Sequence, residues 1–544
     1  MGAGADVLKY RFQWNFPIFF SPHNPKRLYS AGNVLFVTEN EGQTWEQISP
    51  DLTTNDKSKQ VSSGGPITKD NTSVEYYCTI FTAVESPLEK DLLWTGSDDG
   101  LIHVSKDGGK NWNNVTPKDA PKWIMWNSLE ADPFKKGALY AVGTKYKTDD
   151  FTPYIYKTED YGKTWKLITN GIDKMHFTRA VRADQKRSGL LYAGTEYGMY
   201  ISFDDGANWR PFQLNLPIVP ITDLTIKEND LVVATQGRSL YVLDDLSVLQ
   251  QINHAVTNKA LHVFDVRSPY RIAASPFSQN FGTPRNAGAN PPAGAVINFF
   301  VKDAADSTKG AITILDKNRN EIKTFSSDSK EANSKFDFSK GMNQFVWDMR
   351  YATMPGILNA YIEGSYQGHK VSPGSYSISI KYNGKESKTE CTILSNPVYG
   401  VSDGTYKEYH SFMTSMEEAL TDMHVKTNTI FKMRKQIEEI LKDLPGDEKY
   451  KAVKKEGEAL VKKMQAWDED MVQRKSKAYD DVENFPNKFT ANYLFVINQT
   501  ESDIPRVNQP NRDRLQELSK EWNVLDARAK EILNVDVPAY TKRL

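Results

Sequence analysis

The chain has 544 residues, too many for a single core, and we read three domains in it. Its 68 basic and 69 acidic residues leave a formal net charge of −1, so no overall field attracts nucleic acid or an anionic membrane surface, and neither is an expected partner. The two cysteines, Cys78 and Cys391, fall in different expected domains, which argues against a disulfide framework or a cysteine-based zinc site, and no run of about 18 apolar residues is present to span a membrane.

Residues 1–252 carry a repeat. Four segments share a Ser or Thr, an Asp or Asn two residues on, a Gly two further, a Thr or Asn and then a Trp: Thr38–Trp45, Ser105–Trp112, Thr158–Trp165 and Ser202–Trp209. This is the Asp-box pattern. The acidic or amide side chain at Asn40, Asp107, Asp160 and Asp204 is expected to bond nearby backbone N–H groups, while Gly supplies the positive φ of a tight hairpin. Trp45, Trp112, Trp165 and Trp209 then plug each hairpin onto its sheet.

Each box follows a second unit, an apolar strand, a polar turn and a small-residue strand that usually ends in Gly, as in Val84–Pro87 leading to Leu93–Gly96. A fifth such unit, Leu224–Asp244, has no box. Positions 107, 160 and 204 are 53 and 44 residues apart, the scale of a four-stranded propeller blade. The 67 residues between 40 and 107 imply an insertion at Ser49–Tyr77.

With these motifs in place, the chain resembles the exported bacterial Asp-box (BNR) proteins, which are similar to the sortilin-type ten-bladed propeller and are often labelled glycosyl hydrolases. The likeness rests also on Trp14–Ile18, Ser21–Pro25, Ser49–Leu52, Gly64–Asn71, Tyr76-Tyr77 and Gly96–Gly100. It implies an Asp-box propeller of about five blades within a larger ring and an extracytoplasmic location; an arc of five blades must either close on itself or dock on a partner chain that completes the propeller. The first residues lack the basic and apolar regions of a secretory signal.

With boxes on the bottom of each blade, the opposite face is expected to gather the chemistry. The binding candidates there are Tyr76, Trp123, Trp126, Tyr146, Arg179, Arg182, Tyr197 and Arg238, a set suited to a peptide, protein or glycan ligand. Two-carboxylate glycoside hydrolysis would draw on Glu75, Asp98, Asp99 and Glu196. Against sialidase chemistry, no Arg-Ile-Pro element precedes the blades, and the nearest string, Tyr270–Ala273, comes after them and lacks the proline. The eight histidines form no metal-binding spacing and no glycine-rich phosphate loop occurs, so no metal or cofactor is expected. The leading expectation is a non-catalytic binding or scaffold module, with a glycoside hydrolase acting on a polysaccharide as the alternative.

Residues 253–398 change to strands of strict alternation. Tyr376, Ile378, Ile380 and Tyr382 share one face before the Asn383-Gly384 hairpin turn, as in an Ig-like sandwich, with a loop at Gln279–Ala293. Residues 399–544 show three stripes at helical spacing: Met416–Leu444, Val453–Met471 and Leu515–Ile532. These predict an antiparallel helical bundle.

Overall fold

The computed structural model describes every residue except 1–3, 63, 65, 66, 72, 73, 273–287, 306, 307 and 503. Parts of the Gly64–Asn71 motif, of the Ser49–Tyr77 insertion and of the Gln279–Ala293 loop, together with Ala273 of the arginine string, therefore lie outside the described residues. The chain divides into two compact units, Met1–Gln251 and Ile252–Leu544.

In the first unit the strands form sheets in strict chain order, four sheets of four strands followed by one of three. All neighbours are antiparallel, which is the up-and-down order of a propeller blade. The first strands of the five sheets are Ile18–Phe20, Ile80–Glu85, Met125–Ala131, Thr178–Ala183 and Ile221–Lys227, and the middle three pack each against the first strand of the next sheet. Second strands such as Leu93–Ser97 and Leu191–Thr195 are buried along their whole length, hence their continuous run of apolar and small residues. The glycine near the end of these strands has a steric cause. A Cβ on Gly96 would lie 2.8 Å from Trp126 Cβ, and one on Gly194 would lie 2.7 Å from Ile221 Cγ2, so a side chain there would push away the start of the following sheet. The apolar core is accordingly spread between successive sheets, with Trp94, Trp126 and Tyr156 filling one interface and Tyr140, Val181 and Tyr200 the next.

Each box occupies the hairpin between the third and fourth strands, and its hydrogen bonds follow one scheme. Ser202 Oγ donates to Asp204 Oδ1, the same carboxylate oxygen accepts from Asn208 N (2.8 Å), and Gly206 N donates to Ser202 Oγ (3.0 Å). Equivalent bonds join Thr38, Asn40, Gly42 and Thr44, and likewise the boxes around Asp107 and Asp160. The box glycines have φ between 79° and 98°, inside the left-handed region that other residues reach at a cost.

The tryptophans do more than anchor their own hairpins. Trp112 Nε1 donates to Ile48 O (3.0 Å), Trp165 Nε1 to Val115 O (2.7 Å) and Trp209 Nε1 to Ile168 O (2.7 Å). In each case the acceptor follows the last strand of the preceding sheet, so the indole ties one sheet to the one before it. Trp45 belongs to the first sheet, has no preceding sheet among the described residues, and is 44% exposed. The neighbouring Ile18 and Phe20 are exposed as well, as are Leu240 and Val242 on the third strand of the fifth sheet.

In the second unit two antiparallel sheets share one core. One orders Leu261–Val263, Ala295–Val301 and Gly341–Trp347; the other orders Glu321–Ser326, Gly310–Leu315, Gly374–Tyr382 and Lys385–Ile393. Their alternating residues interlock, with Ile297, Phe299, Ile312, Ile378 and Trp347 all buried. Tyr376, Ile378, Ile380 and Tyr382 do point into this core, and Asn383 and Gly384, both with positive φ, close the hairpin.

The four long helices of the second unit are α1 (Asp403–Asp443), α2 (Lys451–Met471), α3 (Phe489–Thr500) and α4 (Gln509–Glu531). Ser402 caps α1 by accepting from Thr405 N, and the helix stops just ahead of Pro445-Gly446. Met416, Leu420, Met423, Ile430 and Ile437 bury the expected stripe. The three-helix expectation needs correction: α3 is a fourth helix, with Phe489, Tyr493, Leu494, Val496 and Ile497 all buried. It is apolar on most of its circumference, so it carries no one-sided stripe to betray it. Between the strands Gly341–Trp347 and Gly374–Tyr382, residues 349–371 form a narrow ribbon closed on itself by Tyr351 N→His369 O (3.1 Å) and Met354 N→Tyr366 O (2.8 Å). No described helix is long and apolar enough to cross a membrane.

Candidate functional site

The first strands of the five sheets surround a cavity of about 1490 Å³. Because those strands all run the same way, the loops entering them furnish one mouth and the loops leaving them the other. The leaving loops contribute Pro22, Pro87, Pro133 and Gln185. The entering loops contribute Trp14, Tyr77 and Trp123, and the hairpin after the second strand of sheet three adds Lys145, Tyr146 and Lys147.

This second mouth is aromatic and cationic. Tyr77 and Trp123 lie 6.3 Å apart between ring centres, and the Lys59 ammonium sits 5.4 Å over the Trp123 ring. Trp123 has φ 62°, a loop conformation that leaves its ring partly exposed. Tyr146 stacks on Phe177 at 4.8 Å, with the Arg179 guanidinium 5.3 Å from the Tyr146 ring. Arg179 also pairs with Glu196 through Nη2 at 2.6 Å. Trp14 is 66% exposed and donates through Nε1 to Glu75 Oε1 (2.9 Å), which orients the ring at the rim.

Deeper in the cavity, Arg182 bridges three sheets. Its Nη2 pairs with Asp223 Oδ1 at 2.7 Å, its Nη1 donates to Ser128 Oγ at 2.8 Å, and Glu130 Oε2 lies 3.9 Å from Nη1. Burial outweighs the arginine in setting the Glu130 carboxyl, whose pKa is pushed up to about 7. Asp98 is raised to about 7 for the same reason, although its two oxygens accept from Thr79 N and Thr79 Oγ1, each at 2.8 Å. Both carboxyls are thus poised between neutral and charged near pH 7.

Several sequence candidates sit elsewhere than expected. Trp126 is fully buried between the second and third sheets, and Tyr76 is buried too, so neither presents a ring at the rim. Asp99 is buried, and one of its oxygens accepts from Thr54 N and Oγ1 (2.8 and 2.6 Å), which commits it to holding the Ser49–Tyr77 segment. Glu75 is bonded to Trp14 and Glu196 to Arg179, so the four carboxylates Glu75, Asp98, Asp99 and Glu196 do not form a free pair across the cavity. Tyr197 stacks on His176 at 4.7 Å and, like the exposed Arg238, is not among the cavity walls. Asp98, Trp123, Tyr146, Arg179 and Arg182 do line it. Trp14, Tyr77, Lys147, Glu130 and Asp223 join them without having been singled out as candidates. The usable signal for Glu130 and Asp223 was a carboxylate inside a first strand, a position that faces the axis of the sheet array. Among the described residues, no group of three or more His, Cys, Asp or Glu could hold a metal ion.

No family model matches the chain. An oligoxyloglucan-reducing end-specific xyloglucanase of Emericella nidulans is 24% identical over 161 residues, covering 28% of this chain and 17% of the relative, so the chain spans well under two thirds of that protein. Among solved structures, the GH74 xyloglucanase from Xanthomonas campestris is 13% identical with a TM-score of 0.34, covering 67% of this chain and 56% of its own. The GH74 enzyme of Niastella koreensis is 15% identical with a TM-score of 0.31, covering 43% and 34%. YCF48 bound to D1 peptide is 19% identical with a TM-score of 0.24, covering 30% and 54%.

Proposed function

We propose that the first unit is a non-catalytic glycan-binding module, an Asp-box propeller of about five blades in a sortilin-like, extracytoplasmic protein, followed by an Ig-like sandwich and a helical bundle. The observation that carries this reading is the aromatic mouth, where Trp14, Tyr77, Trp123 and Tyr146 surround an axial cavity large enough for several sugar rings. Apolar sugar faces stack on such rings, while the cations and amides beside them bond hydroxyl groups. The four box hairpins support the Asp-box assignment, and the three-plus-four strand order of the second unit supports the Ig-like one. The exposed Trp45, Ile18 and Phe20 at one end of the array, with Leu240 and Val242 at the other, favour a partner sheet that completes it.

A glycan panel with xyloglucan oligosaccharides as its first members, assayed by calorimetry and for product release, tests the reading. Binding without turnover is expected, and Trp123→Ala and Tyr146→Ala should each weaken it about tenfold, roughly 1.4 kcal/mol for a lost aromatic anchor. Affinity unchanged in both variants would remove the mouth from consideration. The second reading, a glycoside hydrolase, is favoured by the partly neutral Glu130 carboxyl beside Arg182 and Asp223, since a glycosidase needs an acid that holds its proton near neutrality. Turnover abolished by Glu130→Gln would establish it.

A further inference from the structure

The ribbon 349–371 of the second unit meets the helices through a seam built on histidine. His369 is almost wholly buried, its backbone N donates to Glu417 Oε1 (2.7 Å), and its ring Nδ1 lies 2.9 Å from Glu417 Oε2. Its Nε2 lies 2.9 Å from His410 Nδ1. Glu417 accepts from the Nδ1–H of the neutral ring, which leaves Nε2 of His369 as acceptor for a bond that His410 donates from Nδ1. Tyr351 of the ribbon stacks on both rings, at 4.6 Å and 5.3 Å. Two turns further along α1, His424 Nδ1 donates to the ribbon carbonyl of Pro355 (2.7 Å), while its Nε2 is buried without a bonding partner. Asn428 on α1 and Asn498 on α3 bond the ribbon at Gly356, Leu358 and Ser365, beside the apolar contacts that Met354, Ile362 and Tyr366 make with the helical core.

We propose that residues 349–371 are an acid-released strap, locked onto α1 and α3 while His424 is neutral and freed when it gains a proton. A proton on His424 Nε2 would place a cation where no acceptor faces it. The surrounding charges do not rescue this. Glu417 touches His369, and Glu417 and Asp316 act on His410 at range, while neither is among the groups acting on His424. Glu501, just past the end of α3, is already shared by Arg350 and by the Tyr409 hydroxyl, Arg271 faces the Tyr406 and Tyr409 rings as a further cation, and Lys370 of the ribbon itself adds another. Tyr351 and Tyr366 stay uncharged, their phenols raised to about 12 by burial.

Burial lowers the pKa of both His410 and His424, with His369 adding to the effect at His410 and the Pro355 carbonyl partly opposing it at His424. A histidine depressed in the fold is protonated first in the released state, so the lock is complete above the ordinary value of about 6.5 and weakens as pH falls below it.

Hydrogen exchange of the whole chain at pH 7.5 and pH 5.5, each rate divided by its intrinsic rate, decides the matter. At the lower pH the amides of Tyr351, Met354 and His369 should lose protection by about tenfold or more, the equivalent of one pKa unit, while those of the strand Gly374–Tyr382 keep theirs. In His424→Asn, where an amide N–H can replace the ring donor to Pro355 O without titrating, the loss should vanish. Equal protection at the two pH values, an equal loss in ribbon and strand, or a pH effect that survives in the variant would each overturn the strap. The exchange data on the unaltered protein decide it even where the variant does not fold.

Discussion

Trp126→Ala should destabilise the first unit by about 3–5 kcal/mol, the cost of emptying a large buried aromatic site that cannot collapse. The indole fills the interface between the second and third sheets, edge-on to Tyr156 at 5.8 Å and against Gly96 and Gly143. Neither glycine has a side chain with which to close the gap. Urea unfolding followed by the signal of the first unit should show an earlier midpoint, with the second unit unaffected. Trp126→Phe should cost far less, because the Trp126 N–H is itself buried without an acceptor among the described residues. A loss under 1 kcal/mol for the alanine variant would contradict the packing described.

Glu130→Gln should stabilise the first unit in alkali and leave it unchanged in acid. The folded carboxyl has a pKa of about 7, above the roughly 4.3 of an unfolded glutamate, so the folded state holds the extra proton between these values. Stability from this group is therefore full below the unfolded value and lost as pH rises through the folded one. Glutamine does not titrate and can still accept from Ala183 N, which bonds Glu130 Oε1 at 3.2 Å. The gap between variant and parent should grow from near zero at pH 4 to on the order of 1–3 kcal/mol at pH 8. Some pH dependence should persist in the variant, because Asp98 is shifted in the same direction. A gap of equal size at pH 4 and pH 8 would show that the two side chains differ by packing and not by charge.

The parts of this structure that were legible in the amino-acid order are those where one backbone shape admits few residue types. The box hairpins needed a short oxygen acceptor, a left-handed glycine and a plug, and Asp204, Gly206 and Trp209 supply them in that order. The Asn383-Gly384 turn was readable for the same reason. The cavity walls were less so. Trp123 and Trp126 stand three positions apart on the approach to one strand, yet the first sits in a positive-φ loop at the mouth and the second in a strand sandwiched between sheets. Periodicity alone does not say where the loop yields to the strand. The surroundings of the carboxylates were not legible because their partners come from distant sequence: Thr54 bonds Asp99, 45 residues away, and Trp14 bonds Glu75, 61 residues away. Helix α3 escaped notice because burial on nearly every side erases the contrast that a stripe requires.

The indole ties between sheets have a direction, each reaching backwards to its predecessor. Cohesion along the array is thus a chain of nearest-neighbour couplings, strongest where a sheet both gives and receives such a bond. The second and third sheets do both, through Trp112 with Val115 and through Trp165 with Ile168. The first only receives and the fifth does neither, so thermal opening begins at the two ends and moves inward, and the walls of the aromatic mouth contributed by the central sheets are the last to part.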